Sequence, residues 1–103
     1  MIIDVIGKPA MLEQLAEECC ELGQAALKMS RFLRGENPAG KTKMQCLSAL
    51  TEEIADVKVC IESLKGSELY DPERIRRMMD QKKVRWERRL KDAGDPVGMA
   101  AED

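Results

Sequence analysis

The chain has 103 residues, and its composition and charge exclude several broad classes of protein. Aromatic residues make up 3% of the chain and charged residues 35%, a balance typical of packed amphipathic helices and not of a sheet protein or a disordered chain. The formal net charge of -2 provides no global basic field that would recruit nucleic acid. No apolar run is long enough to span a membrane, and residues 1–6 are too short and too acidic for a signal peptide, so we expect a cytoplasmic protein.

The cysteines do not suggest a metal site. The chain has four of them, Cys19, Cys20, Cys46 and Cys60, with no CxxC spacing and no histidine anywhere. A zinc site would need a spacing that this chain lacks. We therefore expect the cysteines to be small buried hydrophobic residues in a reducing compartment.

The first long helix is predicted from Pro9 to Leu33, because apolar residues recur there alternately three and four residues apart. This seam consists of Leu12, Leu15, Cys19, Leu22, Ala26, Met29 and Leu33. Beside it runs a second line with the same spacing, apolar at its ends and polar in its middle: Met11, Gln14, Glu18, Glu21, Ala25, Lys28 and Phe32. Ahead of the helix, Gly7 allows a bend, and Val5 and Ile6 are expected to cover one end of the fold.

A second helix is predicted from Thr42 to about residue 65. Gly35, Pro38 and Gly40 interrupt the helical pattern before it, and Thr42 followed by Gln45 has the form of a capping box. Its apolar seam consists of Leu47, Leu50, Ile54, Val57, Ile61 and Leu64, and its flanking line of Cys46, Ala49, Glu53, Asp56 and Cys60. Carboxylates again occupy the middle of a line of small apolar residues.

A third helix is predicted to begin at Asp71, because Asp71-Pro72-Glu73 supplies a cap, a first-turn proline and an acidic first turn. We expect its inner side to carry Ile75, Met78, Met79, Trp86 and Leu90. The predicted fold is all-α: an antiparallel bundle of about three main helices, with one domain over residues 1–93 and a flexible tail over residues 94–103. Because a chain of this length buries only a thin core, we expect oligomerisation to complete the bundle.

The paired carboxylates carry the chemistry. Glu18 and Glu21 are three residues apart on the first helix, as are Glu53 and Asp56 on the second, so each pair can direct its oxygens to one point. If the chain folds back antiparallel at residues 35–41, the two pairs lie at similar distances from the turn. Four partly buried carboxylates without a cation would repel one another. Mg²⁺ or Mn²⁺ removes this repulsion, and such a site binds water and substrate phosphates as further ligands.

Each of these features has a simpler alternative. A single ExxD pair on a helix is more often a solvent-exposed side or a set of salt bridges, but two pairs at matching depth within apolar lines favour a metal site. Basic side chains of the third helix, Lys82, Lys83, Arg85 and Arg89, could hold polyphosphate oxygens. Lys28, one turn beyond Ala25, could also reach a phosphate. For any one of these cations the alternative is a solvated side chain.

At these residues the chain resembles the MazG-like group of all-α nucleoside triphosphate pyrophosphohydrolases. The family signature is EExxE followed, after a loop, by ExxD, and here it stands as Glu17-Glu18-Cys19-Cys20-Glu21 and Glu53-Ile54-Ala55-Asp56. The similarity extends to residues 22–28 and to the basic segment 83–89. It covers most of the chain, from Gly7 to about Leu90.

The resemblance implies a Mg²⁺-dependent enzyme that cleaves between the α and β phosphates of a nucleoside triphosphate, giving the monophosphate and pyrophosphate. It implies that the metal ligands, which are also the catalytic carboxylates, are Glu18, Glu21, Glu53 and Asp56. Glu17 would orient a ligand or a water molecule without binding the metal itself. Phosphates would be contacted by Lys83, Arg85 and Arg89. The family assembles its bundles from dimers or tetramers, so a homodimer or homotetramer is expected.

Two departures from the family pattern leave the substrate open. The gap between the two motifs is longer than in the most compact members, and only three aromatic residues, Phe32, Tyr70 and Trp86, could contact a base. A phosphoribosyl-ATP pyrophosphatase would share the scaffold, and a non-catalytic helical interaction module would share the composition. A di-iron carboxylate bundle is excluded because it requires Glu-x-x-His, and the chain has no histidine.

Overall fold

Four α-helices form the secondary structure of residues 1–38 and 40–94, which is the part of the chain that the computed structural model describes. They are α1 (Ile2–Ile6), α2 (Lys8–Leu33), α3 (Lys43–Ser63) and α4 (Pro72–Asp92), and there is no strand in this part of the chain. The predicted all-α class is confirmed. None of the four helices is both long and apolar enough to cross a bilayer.

Local sequence signals explain where the helices begin. Thr42 caps α3: its side-chain oxygen accepts a hydrogen bond from the backbone N–H of Gln45 at 3.1 Å, and the Gln45 side chain accepts one from the backbone N–H of Thr42 at 2.9 Å. The predicted capping box is therefore present. Asp71 caps α4 in the same way by accepting from the N–H of Arg74 at 3.1 Å. These bonds satisfy backbone donors that the first turn of a helix leaves without partners.

The N-terminal segment forms a short helix, α1. Gly7 separates α1 from α2 with a positive φ of 88°, a conformation that favours glycine, and so provides the predicted bend. The expectation that Val5 and Ile6 cover one end of the fold was wrong. Val5 is 84% exposed, and Ile3 is the side chain that α1 buries. In a single helical turn one side faces α2, and that side carries Ile3.

The two long helices α2 and α3 pack against each other in antiparallel orientation. Residues 18 and 21 lie beside 53 and 56, and residues 25 and 28 lie beside 46 and 49, so residue numbers run in opposite directions along the pair. On α2 the contact line consists of Met11, Leu15, Glu18, Leu22, Ala25, Met29 and Phe32. On α3 and its C-cap residue it consists of Cys46, Leu50, Glu53, Val57, Cys60 and Leu64.

This contact line corrects the predicted seams. It lies between the apolar seam and the carboxylate-bearing line, and it takes members from both. Leu33 is 62% exposed and Cys19 and Ala26 are also exposed, although all three belong to the predicted seam. Cys20 is exposed as well, so only Cys46 and Cys60 are buried as predicted. One neighbouring helix covers a narrow arc of α2, and the rest of the apolar arc stays open.

The helix pair has two different sides. Seven residues each follow a contact-line residue by one position, which is a rotation of about 100° about the helix axis. They are Leu12, Cys19, Ala26, Leu33, Leu47, Ile54 and Ile61, and all are exposed. Because the helices are antiparallel, the same rotation on each brings all seven to one side, here called the apolar side. Glu21, Lys28, Ala49 and Asp56 are rotated in the opposite sense and define the carboxylate side.

The chain divides into two compact units, Met1–Ser67 and a second that begins at Glu68 and contains α4. The five residues predicted for the inner side of α4 are not buried. Met78, Met79 and Trp86 are exposed, Ile75 and Leu90 are half-buried, and α4 buries none of its side chains. The predicted tail, residues 94–103, lies outside the described residues except for Gly94.

The capping box predicts a measurable contribution to stability. Thr42→Ala removes the side-chain acceptor at the start of α3, and we expect the free energy of unfolding to fall by about 1 kcal/mol. Thr51→Ala is the matched control, because Thr51 is exposed in the same helix and alanine has the higher helix propensity. Urea denaturation at one protein concentration measures both. Equal losses in the two variants would contradict the role of the cap.

Candidate metal centre

Four carboxylates converge in the groove between α2 and α3. Glu18 and Glu21 come from α2, and Glu53 and Asp56 come from α3. Each contributes one carboxylate oxygen, and these four oxygens all lie within 4.8 Å of one another. The helical spacing of three residues turns each pair toward the same point, and the antiparallel register brings the two points together. The structure thus unites the four residues, while their role as metal ligands stays a prediction.

Two of these carboxylates each have one buried oxygen to which no described residue donates a hydrogen bond. Glu18, Glu53 and Asp56 are half-buried, and Glu21 is exposed. Oε2 of Glu18 and Oε2 of Glu53 are inaccessible to solvent, and neither accepts a hydrogen bond from a described residue. An anionic oxygen in this state has lost its hydration without replacement, which is costly. The cost is removed when a cation takes the position that the water left.

Gln14 donates a hydrogen bond to this cluster. Its Nε2 donates to Oε1 of Glu18 at 2.9 Å, from one turn earlier on α2. This bond engages Oε1 of Glu18, whereas Oε2 accepts no hydrogen bond from a described residue. Sequence reasoning placed Gln14 on the carboxylate-bearing line but gave it no role. The Gln-to-Glu spacing of four residues, a known stabilising pair on helices, is the signal that could have identified it.

The electrostatics of the cluster oppose ionisation in the absence of a cation. Burial raises the pKa of Glu18, and the negative charges of Glu21 and Asp56 raise it further, while the hydrogen bond from Gln14 acts in the opposite direction. Burial likewise raises the pKa of Glu53, and the charges of Glu21, Asp56 and Glu18 add to the effect. Both groups therefore interact with carboxylates of the opposite helix. Each ionised carboxylate makes ionisation of the next one less favourable.

Cys60 forms part of the apolar floor beside the cluster. Burial raises the pKa of its thiol, with smaller contributions from the charges of Glu18 and Asp56. A thiol with a raised pKa remains protonated near neutral pH and makes a poor metal ligand. The donor set is therefore carboxylate oxygen.

The donors match a hard divalent cation in type and in spacing. Mg²⁺ binds oxygen ligands at about 2 Å in octahedral geometry, so ligands on opposite sides of the ion are about 4 Å apart. Four oxygens within 4.8 Å of one another can surround one such ion after a small contraction. Glu21 is the exposed member of the set, so the cluster is accessible to water at this residue. The chain has no histidine that would shift the preference toward zinc.

The remaining predicted site residues lie outside the carboxylate cluster. Glu17 is exposed and precedes Glu18 by one residue, which turns it about 100° away around α2. Lys28 is exposed on the carboxylate side, two turns beyond Glu21. The predicted phosphate-binding residues of α4 are Lys83, Arg85 and Arg89, and all three are exposed in the second compact unit.

Two of the three residues of α4 that were predicted to bind phosphate share one surface of that helix. Arg85 and Arg89 line a concave surface together with Lys82 and Trp86, whereas Lys83 does not belong to it. The spacing explains the difference, because residues 82, 85, 86 and 89 fall within an arc of about 100° around α4 and residue 83 lies about 60° outside that arc. Lys82 was considered from the sequence as a phosphate contact, and the structure groups it with Arg85 and Arg89.

Comparison with known proteins adds no relative. Searches of protein-family models, of curated proteins and of solved structures each found no significant match to this chain. The residues themselves therefore carry the functional argument.

The raised pKa values predict how stability depends on pH. For an acid whose pKa is higher in the folded than in the unfolded state, stability is lost as pH rises through the folded pKa. In EDTA, Glu18 and Glu53 should therefore destabilise the fold progressively as pH rises above 4.5, which is the ordinary pKa of a glutamate side chain. Saturating Mg²⁺ should cancel this loss, because the ion binds the deprotonated carboxylates of the folded state.

Melting temperatures measured from about pH 5 to pH 8, with EDTA or with Mg²⁺, test this expectation. The double variant Glu18→Gln/Glu53→Gln supplies the reference for every other titrating group. In EDTA the wild-type melting temperature should fall relative to that of the variant as pH rises, and only the wild type should respond to Mg²⁺. Parallel curves for the two proteins would show that the cluster is not electrostatically strained.

Proposed function

We propose that this chain is a Mg²⁺-dependent nucleoside triphosphate pyrophosphohydrolase, which converts an NTP or dNTP and water to the monophosphate and pyrophosphate. The observation that carries the proposal is the convergence of Glu18, Glu21, Glu53 and Asp56 within 4.8 Å, with two buried carboxylate oxygens that accept no hydrogen bond from a described residue. The similarity of the EExxE and ExxD motifs to the MazG-like group supports the reaction type. Clearing unwanted or non-standard nucleotides in the cytoplasm is a role that fits this reaction.

The four carboxylates would hold the cation, and each has a distinct position. Glu18 and Glu53 offer their buried oxygens from the floor of the groove, and Asp56 is also half-buried. Glu21 is exposed and lies where a substrate or a water molecule would enter. Gln14 keeps Glu18 in place through its hydrogen bond. Bound Mg²⁺, or Mn²⁺ in its place, would neutralise phosphate charge and activate water toward the α phosphorus.

Basic side chains would bind the phosphates of the substrate. Lys28 lies on the carboxylate side of the helix pair, and its flexible stem can carry the ammonium along the groove. On α4 the proposed phosphate contacts are Lys83, Arg85 and Arg89, as the family resemblance implies. Glu17, which is exposed beside the cluster, is proposed to orient a ligand or a water molecule.

A second copy of the chain is proposed to cover the apolar side. Leu47, Ile54 and Ile61 recur every seven residues on α3 and are each about 40% exposed. Leu12, Cys19, Ala26 and Leu33 repeat at the same interval on α2. Seven-residue repeats on neighbouring antiparallel helices are typical of four-helix bundles. A homodimer or homotetramer would bury this side and leave the carboxylate side free for substrate.

The activity follows directly from the carboxylates. Purified protein should release pyrophosphate from at least one NTP or dNTP in Mg²⁺ or Mn²⁺ and none in EDTA. Glu53→Gln should lower the rate by at least about 100-fold, because it removes a charged metal ligand. Glu52→Gln changes the neighbouring exposed acid and should retain activity. A folded oligomer inert toward a panel of canonical and modified nucleotides would refute the proposal, as would equal losses in the two variants.

The proposed assembly can be tested with two substitutions on α3. Ile61→Lys places a charge on the apolar side and should shift the protein to monomer. Val59→Lys is the matched control, since Val59 is 52% exposed but is rotated about 200° from Ile61 around the same helix. Sedimentation velocity at micromolar concentration measures both variants. A monomeric wild type, or dissociation by both substitutions alike, would contradict this interface.

A further inference from the structure

A second pocket lies in the groove between α2 and α3, next to the carboxylates. Its volume is about 150 Å³, enough for one phosphate-sized group and some water, and it lies within the first compact unit. Its lining comes from the second half of α2, the loop that follows, and the start of α3: Ala25, Lys28, Lys41, Gln45, Cys46 and Ala49. The lining has two cations, one amide and no carboxylate.

Neither lysine of this pocket has an anionic partner among the described residues. Within residues 1–38 and 40–94, the ammonium groups of Lys28 and Lys41 form no ion pair and no hydrogen bond. Two like charges that line one small pocket repel each other, and the arrangement becomes favourable when an anion lies between them. The small side chains of Ala25 and Ala49 leave the space for such an anion.

Local hydrogen bonds hold the polar lining in place. The Asn37 side chain donates from Nδ2 to the carbonyl oxygen of Lys41, which fixes the loop at the residue that carries the second ammonium. Oε1 of Gln45 is engaged by the backbone N–H of Thr42 in the capping box. The amide group of Gln45 is thereby oriented, and its Nε2 does not donate a hydrogen bond to any described residue. The pocket thus offers a neutral donor in addition to the two cations.

The pocket lies next to the carboxylates along the helix pair. Ala25 and Lys28 lie four and seven residues beyond Glu21, which corresponds to about 6 and about 10 Å along the helix axis. Lys28 and Ala49 belong to the carboxylate side, as do Glu21 and Asp56. A molecule bound at the carboxylates through a metal could therefore extend into the pocket without leaving the groove.

We infer that Lys28 and Lys41 form an oxyanion pocket that binds a phosphate group of the substrate, with Gln45 as a further donor. The inference extends the proposed function, and it rests on that function in taking the bound phosphate to be part of a substrate. Two ammonium groups select an oxyanion, whereas an uncharged base would leave both without a counter-charge. The phosphate comes either from the distal end of the triphosphate or from a second phosphate carried elsewhere on the nucleotide.

Binding of inorganic pyrophosphate and inorganic phosphate in EDTA tests the pocket without the metal site. Isothermal titration should give a measurable affinity for pyrophosphate in the wild type. Lys28→Met and Lys41→Met should each weaken it about tenfold, the loss expected for one charge-assisted contact. Lys43→Met is the matched control, because Lys43 is exposed two residues from Lys41 and does not line the pocket. It should bind as the wild type does.

The outcomes separate this inference from the proposed function. Equal weakening in all three variants would mean a diffuse charge effect and would overturn the pocket. Unchanged pyrophosphate binding together with weaker binding of an uncharged nucleoside would also overturn it, since the pocket would then hold the base. Because these titrations contain no divalent cation, they can succeed in a protein without hydrolase activity and fail in an active one.

Kinetics distinguish the two sources of phosphate. With ATP as substrate, a distal triphosphate contact predicts that Lys41→Met raises KM about tenfold while Lys43→Met has no effect. A contact to a separate phosphate predicts that Lys41→Met leaves ATP turnover unchanged and raises KM only for an ATP derivative with an additional phosphate on a ribose, phosphoribosyl-ATP included. No change with either substrate in an active enzyme would refute the inference.

Discussion

The structure depends on a groove between two helices in which four carboxylates face one another. Glu18 and Glu53 each bring a buried oxygen that accepts no hydrogen bond from a described residue, and each lies near acids of the opposite helix. In most small proteins this position in a helix pair would carry leucine or valine. Placing acids there sacrifices apolar burial and introduces repulsion, which is the opposite of what stability alone would select. The arrangement is consistent with binding a cation, whose charge turns the same geometry from unfavourable to favourable.

The contact line combines large and small buried side chains. Met11, Met29 and Leu64 are large and lie near its two ends. Ala25, Cys46 and Cys60 belong to the same line and are small and buried. Small residues on both helices leave volume between them without separating the backbones. That volume is the space beside the carboxylates and the pocket lined by Lys28 and Lys41.

Much of this fold follows from short-range rules that a sequence displays directly. The capping box at Thr42 and the cap at Asp71 depend on contacts three residues apart, and the helix boundaries follow from them. The convergence of the four carboxylates required one further step, the register of an antiparallel pair joined by one loop. Both steps use helical periodicity, which is why they could be predicted.

The features that could not be predicted depend on which part of an apolar surface is covered. A seam and its flanking line both have helical spacing, and periodicity does not say whether the neighbour packs on one, the other or the arc between them. Cys19 and Leu33 are therefore exposed while Met11 is buried. The apolar positions of α4 show the same limit, because Met78 and Trp86 have the spacing of an inner side but remain exposed. Lys41 was not predicted as a site residue for a different reason: it lies in a loop, where residues do not recur at a regular spacing.

The exposed apolar residues of α2 and α3 and the carboxylates belong to opposite sides of the helix pair, and that separation links assembly to chemistry. The apolar side can be covered by another subunit without blocking the carboxylates, because a rotation of about 100° on each helix leads away from them. A partner on that side would also add packing to helices whose shared contact line is interrupted by charge. Burial on the apolar side could then offset the free energy that the carboxylates cost, and the residues of the groove itself could stay the same. An acid cluster in so short a chain is thus compatible with a folded protein when burial on one side compensates for binding chemistry on the other.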